Sequence, residues 1–267
     1  MARPQRTVLK LGGSVITDKD AAEPALRPRE LARLAAEIAA LPEASRPAVV
    51  VHGAGSFGHP IVAQRRFLER VPEPGALRDW AETQILQNEL SVAVARALLE
   101  AGLPALPLQA SALAVLRDGG LETFWAETLV GFVEQGLVPV LGGVPALDRA
   151  AGCAILSGDA IVAEAARAVG ARLVVLGTDV PGVLEVEPSG RLGSRVVERI
   201  HRGNWDQVRR ALSGSGSVDV TGGMAGKVAS LLALARSGIQ SRIVDARTPG
   251  LVTRALAGED VGTLVSW

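Results

Sequence analysis

The chain has 267 residues, enough for one large α/β domain or two intimate lobes, and its hydrophobic content of 48% suffices for a sizeable core. The formal charge is zero with no basic face evident, which argues against a nucleic-acid partner. No apolar run approaches the roughly 18 residues of a membrane span, MARPQRTVLKLGG has no signal-peptide core or cleavage site, and a single cysteine, Cys153, excludes an intrachain disulfide framework and fits a reducing compartment. A cytoplasmic protein without a membrane partner is expected.

Short β-branched runs alternate with amphipathic Ala/Leu/Arg stretches, the rhythm of a mainly parallel sheet. Residues 7–11 form a first strand ending on Gly12-Gly13. A helix over 29–41 repeats Leu31, Leu34, Ala35 and Ile38 at helical spacing. The strand 48–51 empties into HGAGSFGHP, and a long helix over 80–101 turns Ile85, Leu86, Leu90, Val94, Ala97 and Leu98 inward. A strand follows near 105–108, then a hairpin about Asp118-Gly119-Gly120. A helix over 126–135 leads to the strand 138–141, and the neighbours of Cys153 read as a buried strand in which the thiol is a small core residue. Helix 159–169 and strand 172–176 follow, then a hairpin over 182–196 turning at Pro188-Ser189-Gly190. Helices over 205–212 and 226–237 and strands over 241–244 and 262–265 close the sheet, while SGSGS at 213–217 reads as a loop within the domain.

Only three of the 28 basic residues are lysines, and each sits in a glycine-rich stretch: Lys10 in LKLGGS, Lys19 in ITDK and Lys227 in DVTGGMAGK. Where arginine serves almost everywhere else, these mark places that need a compact ammonium and not a planar guanidinium. Phosphate is the ligand that such a point charge commonly serves.

Two strands run into glycine loops, in LKLGGS and in VVVHGAGSFGHP. Backbone N–H groups can converge on an anion there, with no Cβ to block the approach. Neither loop matches the Walker pattern or the dinucleotide fingerprint. The segment SGSGSVDVTGGMAGKV sets Lys227 at the opening of a helix, and TDVPGVL after the strand 172–176 could hold an adenine nucleotide at the carboxyl ends of the strands.

LKLGGS with a following lysine, HGAGSFGHP, SGD at 157–159, TDVPGVL and DVTGGMAGK stand in the order found in the amino acid kinase superfamily. From Leu9 to about Thr263 the chain resembles that superfamily, and GSFGHP with SGSGSVDVTGGMAGK most resembles the isopentenyl phosphate kinases within it. The resemblance implies one domain over 1–267, an open αβα sandwich with a mainly parallel central sheet. About 1–170 would hold the phosphate acceptor and about 171–267 the nucleotide.

It further implies ATP and a small phosphorylated isoprenoid as partners, Mg²⁺ arriving with ATP and no protein metal ligand, and a homodimer. By the same resemblance, Lys10 and Lys227 would contact the transferring phosphoryl group and the ATP phosphates, and Lys19 would neutralise transition-state charge. Gly12, Gly13 and Ser14 would line the phosphate path, Ala54 and Gly55 would offer N–H groups between the substrates, and Gly158 would approach the acceptor. Asp159 would position the lysines; Thr178, Asp179, Gly182 and Gly223 would belong to the nucleotide pocket. His59 would hydrogen-bond the acceptor phosphate, whereas His52 reads as structural and His201 as surface. One wall of the isoprenoid pocket is expected near Gln84, Ile85 and Asn88.

Two departures stand out. Gly53-Ala54-Gly55 replaces the usual triple glycine, tolerable if Ala54 has a negative φ, and Leu141-Gly142-Gly143 lacks an acidic residue that many relatives carry. A fosfomycin-type kinase, sharing the glycine loop with histidine, is the nearest alternative. A non-catalytic nucleotide sensor on the same fold is another, but a sensor has no need of Lys10, Lys19, Asp159 and Lys227 together.

Overall fold

The structure, a computed structural model, describes residues 6–18, 21, 23–186, 192–213 and 223–267. The chain opens with β1 (Thr7–Leu11), α1 (Gly13–Ile16), α2 (Pro28–Ala39), β2 (Val49–His52), α3 (His59–Arg65) and α4 (Pro74–Glu100). Next come β3 (Ala105–Pro107), β4 (Ala114–Arg117), β5 (Gly120–Phe124), α5 (Glu127–Glu134), β6 (Val138–Gly142), β7 (Val144–Asp148), β8 (Gly152–Leu156) and α6 (Gly158–Ala168). The chain finishes with β9 (Leu173–Thr178), β10 (Leu184–Val186), β11 (Leu192–Val196), β12 (Arg199–Ile200), α7 (Trp205–Ser213), α8 (Gly223–Ala235), β13 (Gln240–Asp245), α9 (Leu251–Leu256) and β14 (Thr263–Val265).

Eight strands form one sheet in the order β12-β14-β13-β9-β1-β2-β6-β3, parallel except where β13 meets β14. Strand alternation divides the core between its faces. Val8, Val49, Val51, Leu141 and Val174 point to α6 and α8, against Ile161, Val162, Ala165, Val228 and Leu231. Leu9, Leu11, Val50, Val140 and Val175 point to α2, α4 and α9, against Leu34, Ile38, Leu90, Val94 and Val252. Helices on both faces of a mainly parallel sheet make the αβα sandwich that the sequence led us to expect. Each fully buried Val, Leu or Ile side chain among these contributes about 1.5–3 kcal/mol of burial. No described helix is long and apolar enough to cross a membrane.

A second sheet, β5-β4-β7-β8, flanks the first. Its first hairpin turns on Asp118 and Gly119 with φ of 52° and 75°, the left-handed pair of a two-residue turn. The strand β7 went unread because Pro145 interrupts its pattern; it pairs antiparallel with β8. Cys153 is buried there beside Phe67 and Ala76, and burial, with Asp148 nearby, pushes its thiol up to about 12. The strands of the 182–196 hairpin pair as expected, but its turn and most of SGSGS lie outside the described residues.

The long helix α4 corrects the expectation most. It starts at Pro74, six residues before Trp80, with Pro in its first turn where no N–H is missed. Ile85 is 58% exposed, whereas the polar Thr83, Gln87 and Ser91 are buried. Ser91 meets His52 at the end of β2, Gln87 lies against Gly58 of the following loop and Thr83 donates to the Asp79 carbonyl within the helix, so polar residues take buried positions and an apolar one is left outside.

Asp148 ends β7 with its side chain buried. Its carboxylate accepts N–H bonds from Asp118, Gly119, Ala150 and Ala151 at 2.8–3.2 Å, tying both hairpin loops of the second sheet together. Led by Ala151 and Gly119, these donors outweigh desolvation and hold its carboxyl at about 2. A folded-state value depressed below the ordinary ~3.9 gives stability above that pH and loses it as pH falls through the folded value. Asp148→Asn should therefore lower Tm at neutral pH, and the gap to wild type should close as pH falls from ~4 toward ~2. A gap constant across that window would contradict the role.

Candidate active site

The carboxyl ends of β1, β2, β6 and β9 open on one edge of the main sheet. The chain passes from β1 to β2 on one side, while β9 lies on the other, so β1 marks a topological switch point where an α/β sheet leaves a crevice. Both early glycine loops emerge there and touch. A Cβ on Gly13 would stand 2.3 Å from the nitrogen of Gly55, so only bare backbone permits the approach.

The second loop has the geometry of an anion nest. Ala54 is right-handed (φ −66°, ψ −32°) and Gly55 left-handed (φ 51°), a sequence that turns successive N–H groups toward one point. The negative φ accommodates the Ala54 methyl, as expected. Gly55 tolerates no such change, since a Cβ would also lie 2.0 Å from Thr17 Oγ1. Among the described residues, the N–H groups of Ala54 and Gly55 have no acceptor. Thr17 staples the loops by donating to the Gly13 carbonyl at 2.8 Å and accepting from the Ser56 N–H at 3.0 Å. Nothing in ITDK distinguished this threonine.

Charge arrives from the opposite face. Lys10, two residues after Val8 on β1, points to the α6 side of the sheet. Its Nζ donates to Asp159 Oδ1 at 2.6 Å, and Lys227 Nζ lies 4.0 Å from Asp159 Oδ2. Asp159 stands in the first turn of α6, whose N-cap Ser157 accepts from the Ala160 N–H at 3.2 Å. Gly158 packs beside Lys10, where a Cβ would meet Lys10 Cε at 3.3 Å.

Burial lowers the pKa of Lys10, Asp159 opposes that shift, and Lys227 adds to it. Burial works against the charge of Asp159, yet the two lysines outweigh it and hold the carboxyl below its ordinary value. Two cations share one carboxylate, leaving a net positive charge in a partly desolvated crevice beside unpaired N–H donors. A pair built for stability would be neutral and satisfied; this arrangement is built to receive an anion.

The remaining expected residues flank this centre unevenly. Gly12 donates to the Gly177 carbonyl at 2.7 Å, tying the first loop to β9, and Ser14 lies in α1. Thr178 ends β9 with its hydroxyl turned inward, its one proton within reach of two alternative acceptors, the carbonyls of Val180 (2.9 Å) and Val244 (3.1 Å). Asp179 follows, close enough to Asp245 and Arg247 to act on both. Gly182 is buried against Thr263, and Gly223 opens α8, which carries Lys227. His59 opens α3, but its side chain, like all of Lys19, lies outside the described residues. Ile85 and Asn88, expected at one wall of the isoprenoid pocket, line a groove of about 690 Å³ between α2 and α4.

The amino acid kinase family model matches residues 5–245. Isopentenyl phosphate kinase of Methanothermobacter thermautotrophicus is 38% identical over 97% of this chain and 98% of its own length. The Haloferax volcanii enzyme of that name is 39% identical over 97% of each. A crystal structure of an isopentenyl phosphate kinase superposes with a TM-score of 0.80 at 35% identity, covering 98% of this chain and all of the other. The chain belongs to the amino acid kinase family and, within it, to the isopentenyl phosphate kinases.

Proposed function

We propose that this protein transfers the γ-phosphoryl group of ATP to isopentenyl phosphate, giving isopentenyl diphosphate and ADP in an isoprenoid pathway. The observation that carries the reading is the net positive Lys10–Asp159–Lys227 cluster beside the unpaired nest at 54–55, in a chain of this family. A phosphonate kinase or a non-catalytic sensor has no comparable support among the relatives. The acceptor's phosphate oxygen is already anionic and needs no general base. It attacks the γ-phosphorus in line as the bond to the bridging oxygen breaks, and that oxygen leaves as ADP.

In this reading Lys10 and Lys227 face the equatorial oxygens of the transferring group, and Lys19 adds a third cation. Asp159 aims the two lysines without taking a proton. Ala54 and Gly55 donate their N–H groups between the substrates, Gly12, Gly13 and Ser14 line the path, and Gly158 and His59 meet the acceptor. Thr178, Asp179, Gly182 and Gly223 shape the nucleotide pocket, so that about 1–170 serves the acceptor and about 171–267 the nucleotide.

Mg²⁺ is read as arriving with ATP. Among the described residues no three His, Cys, Asp or Glu side chains gather to hold a metal, and the carboxylate of Asp159 is engaged by lysines. Held by the nucleotide phosphates, the ion would neutralise their charge. A cytoplasmic enzyme is in keeping with the lone buried thiol of Cys153.

The α2–α4 groove supports a homodimer. Ile85, Val92 and Leu99 recur at seven-residue spacing along α4 and are 42–58% exposed. Antiparallel pairing of two copies about Val92 would set Arg96 of one beside Glu89 of the other, both residues of the groove. Sedimentation equilibrium should return twice the 27.6 kDa chain mass, and Val92→Glu should halve it; a monomeric wild-type protein would contradict the dimer.

Counting ADP released from Mg-ATP with isopentenyl phosphate, dimethylallyl phosphate, geranyl phosphate or fosfomycin tests the activity. Isopentenyl phosphate is expected to give the highest kcat/KM. Lys10→Ala and Lys227→Ala should each lower kcat by roughly 10²–10³-fold, the scale for one oriented transition-state donor. Arginine should rescue neither, being larger and planar. Preference for fosfomycin would overturn the substrate, and a fully active Lys10→Arg or Lys227→Arg the role of the ammonium.

A further inference from the structure

His52 is fully buried at the end of β2 and has no part in the transfer described above. Alternation along β2 turns it, like Val50, toward α4 and away from the face that bears Lys10. Its Nδ1 lies 3.1 Å from the Gly53 carbonyl oxygen and its Nε2 2.8 Å from Ser91 Oγ. A carbonyl only accepts, so this pairing assigns the ring proton to Nδ1. Burial pushes the imidazole down to about 4 despite the Gly53 bond, so the ring is neutral near pH 7 and Nε2 accepts from the Ser91 hydroxyl. That hydroxyl also stands 3.0 Å from the Gln87 carbonyl, its alternative acceptor. On the other side the ring packs against Gly142, where a Cβ would lie 2.3 Å from its Cε1. The imidazole is thus gripped between α4 and β6 with its one proton aimed at a single carbonyl.

That carbonyl belongs to the peptide unit whose N–H is Ala54. In a trans peptide the C=O and N–H point in opposite directions, and the bond from Gly53 to Ala54 is trans. A ring that holds the carbonyl inward therefore turns the Ala54 N–H outward. Ala54 contributes the leading donor of the nest, and Gly53 has no side chain to restrain the plane by itself. We propose that His52 is a positioning residue for phosphoryl transfer, fixing through the Gly53 carbonyl the peptide plane that presents the Ala54 N–H to the phosphoryl group. The inference rests on the reading of residues 54–55 as the nest between the substrates.

Two amides separate this role from packing. His52→Asn places a donor near Nδ1 and keeps the Gly53 bond; His52→Gln reaches toward Ser91 as Nε2 does and loses it. We expect His52→Gln to lower kcat about 10-fold or more, short of the 10²–10³ of a donor removed outright. His52→Asn should retain most of the wild-type kcat. ATP affinity by calorimetry should match wild type in both, and their Tm values should match each other. Equal kcat in the two variants, or a loss that follows Tm alone, would overturn the proposal. Gly142→Ala provides an independent route, crowding the ring from β6: a folded variant with reduced kcat and intact ATP affinity supports the proposal, and one with wild-type kcat opposes it. Ala54→Pro isolates the underlying reading, because φ of −66° suits proline while the N–H is lost. Full activity in Ala54→Pro would sink the nest itself. Loss there with none in His52→Gln would leave the nest standing and remove only the part given to His52.

Discussion

Asp159 holds Lys10 at 2.6 Å and Lys227 at 4.0 Å, and among the described residues it is the one carboxylate paired with both cations. Burial alone would drive Lys10 toward neutrality and protonate Asp159; each ion stays charged because the other is there. The second lysine breaks the symmetry. Among the described residues it leaves one positive charge uncompensated where water is partly excluded, and there a charge acts more strongly than at an open surface. In the proposed reading, incoming phosphate oxygens would complete what the protein leaves incomplete, so that binding and preorganisation become one property of the cluster.

The fold delivers this cluster from three distant parts of the chain. Lys10 comes from the central strand, Asp159 from the start of α6 and Lys227 from the start of α8. Parallel strands bring their carboxyl ends to a common edge, and the switch at β1 parts the loops enough to leave a crevice. The faces of the sheet divide the labour. Lys10 looks toward the helices that carry Asp159 and Lys227, while His52, one strand over and on the opposite face, looks toward α4. Among the described residues, the backbone donors of 54–55 are bound to neither set.

Much of this was legible in the sequence because it was written in local signals. The scarcity of lysine singled out Lys10 and Lys227, strand-then-glycine marked both loops, and SGD set Asp159 at the start of a helix. What stayed hidden depends on pairings across the chain. Ser91 stands 39 residues from His52, so no window containing HGAG shows that its first histidine is bonded at all. Thr17 and Ser56 are separated by the same interval. Helical periodicity misplaced Ile85 because it treats a buried face as apolar, whereas α4 buries the polar Thr83, Gln87 and Ser91. Asp148 carried no motif, since its four partners are backbone N–H groups of two loops.

A chain with three lysines permits a direct look at the charges on which this account turns. With ¹³Cε-labelled lysine, a pH titration by NMR should give three resonances, assigned through Lys10→Arg and Lys227→Arg. Lys10 should titrate below the ordinary 10.5 and lower again in Asp159→Asn. In wild type, the Lys10 and Lys227 signals should both move when a non-hydrolysable Mg-ATP analogue and isopentenyl phosphate are added. Ordinary titration of all three lysines, unchanged by Asp159→Asn and indifferent to both ligands, would contradict the lysine–carboxylate cluster as the seat of phosphoryl transfer.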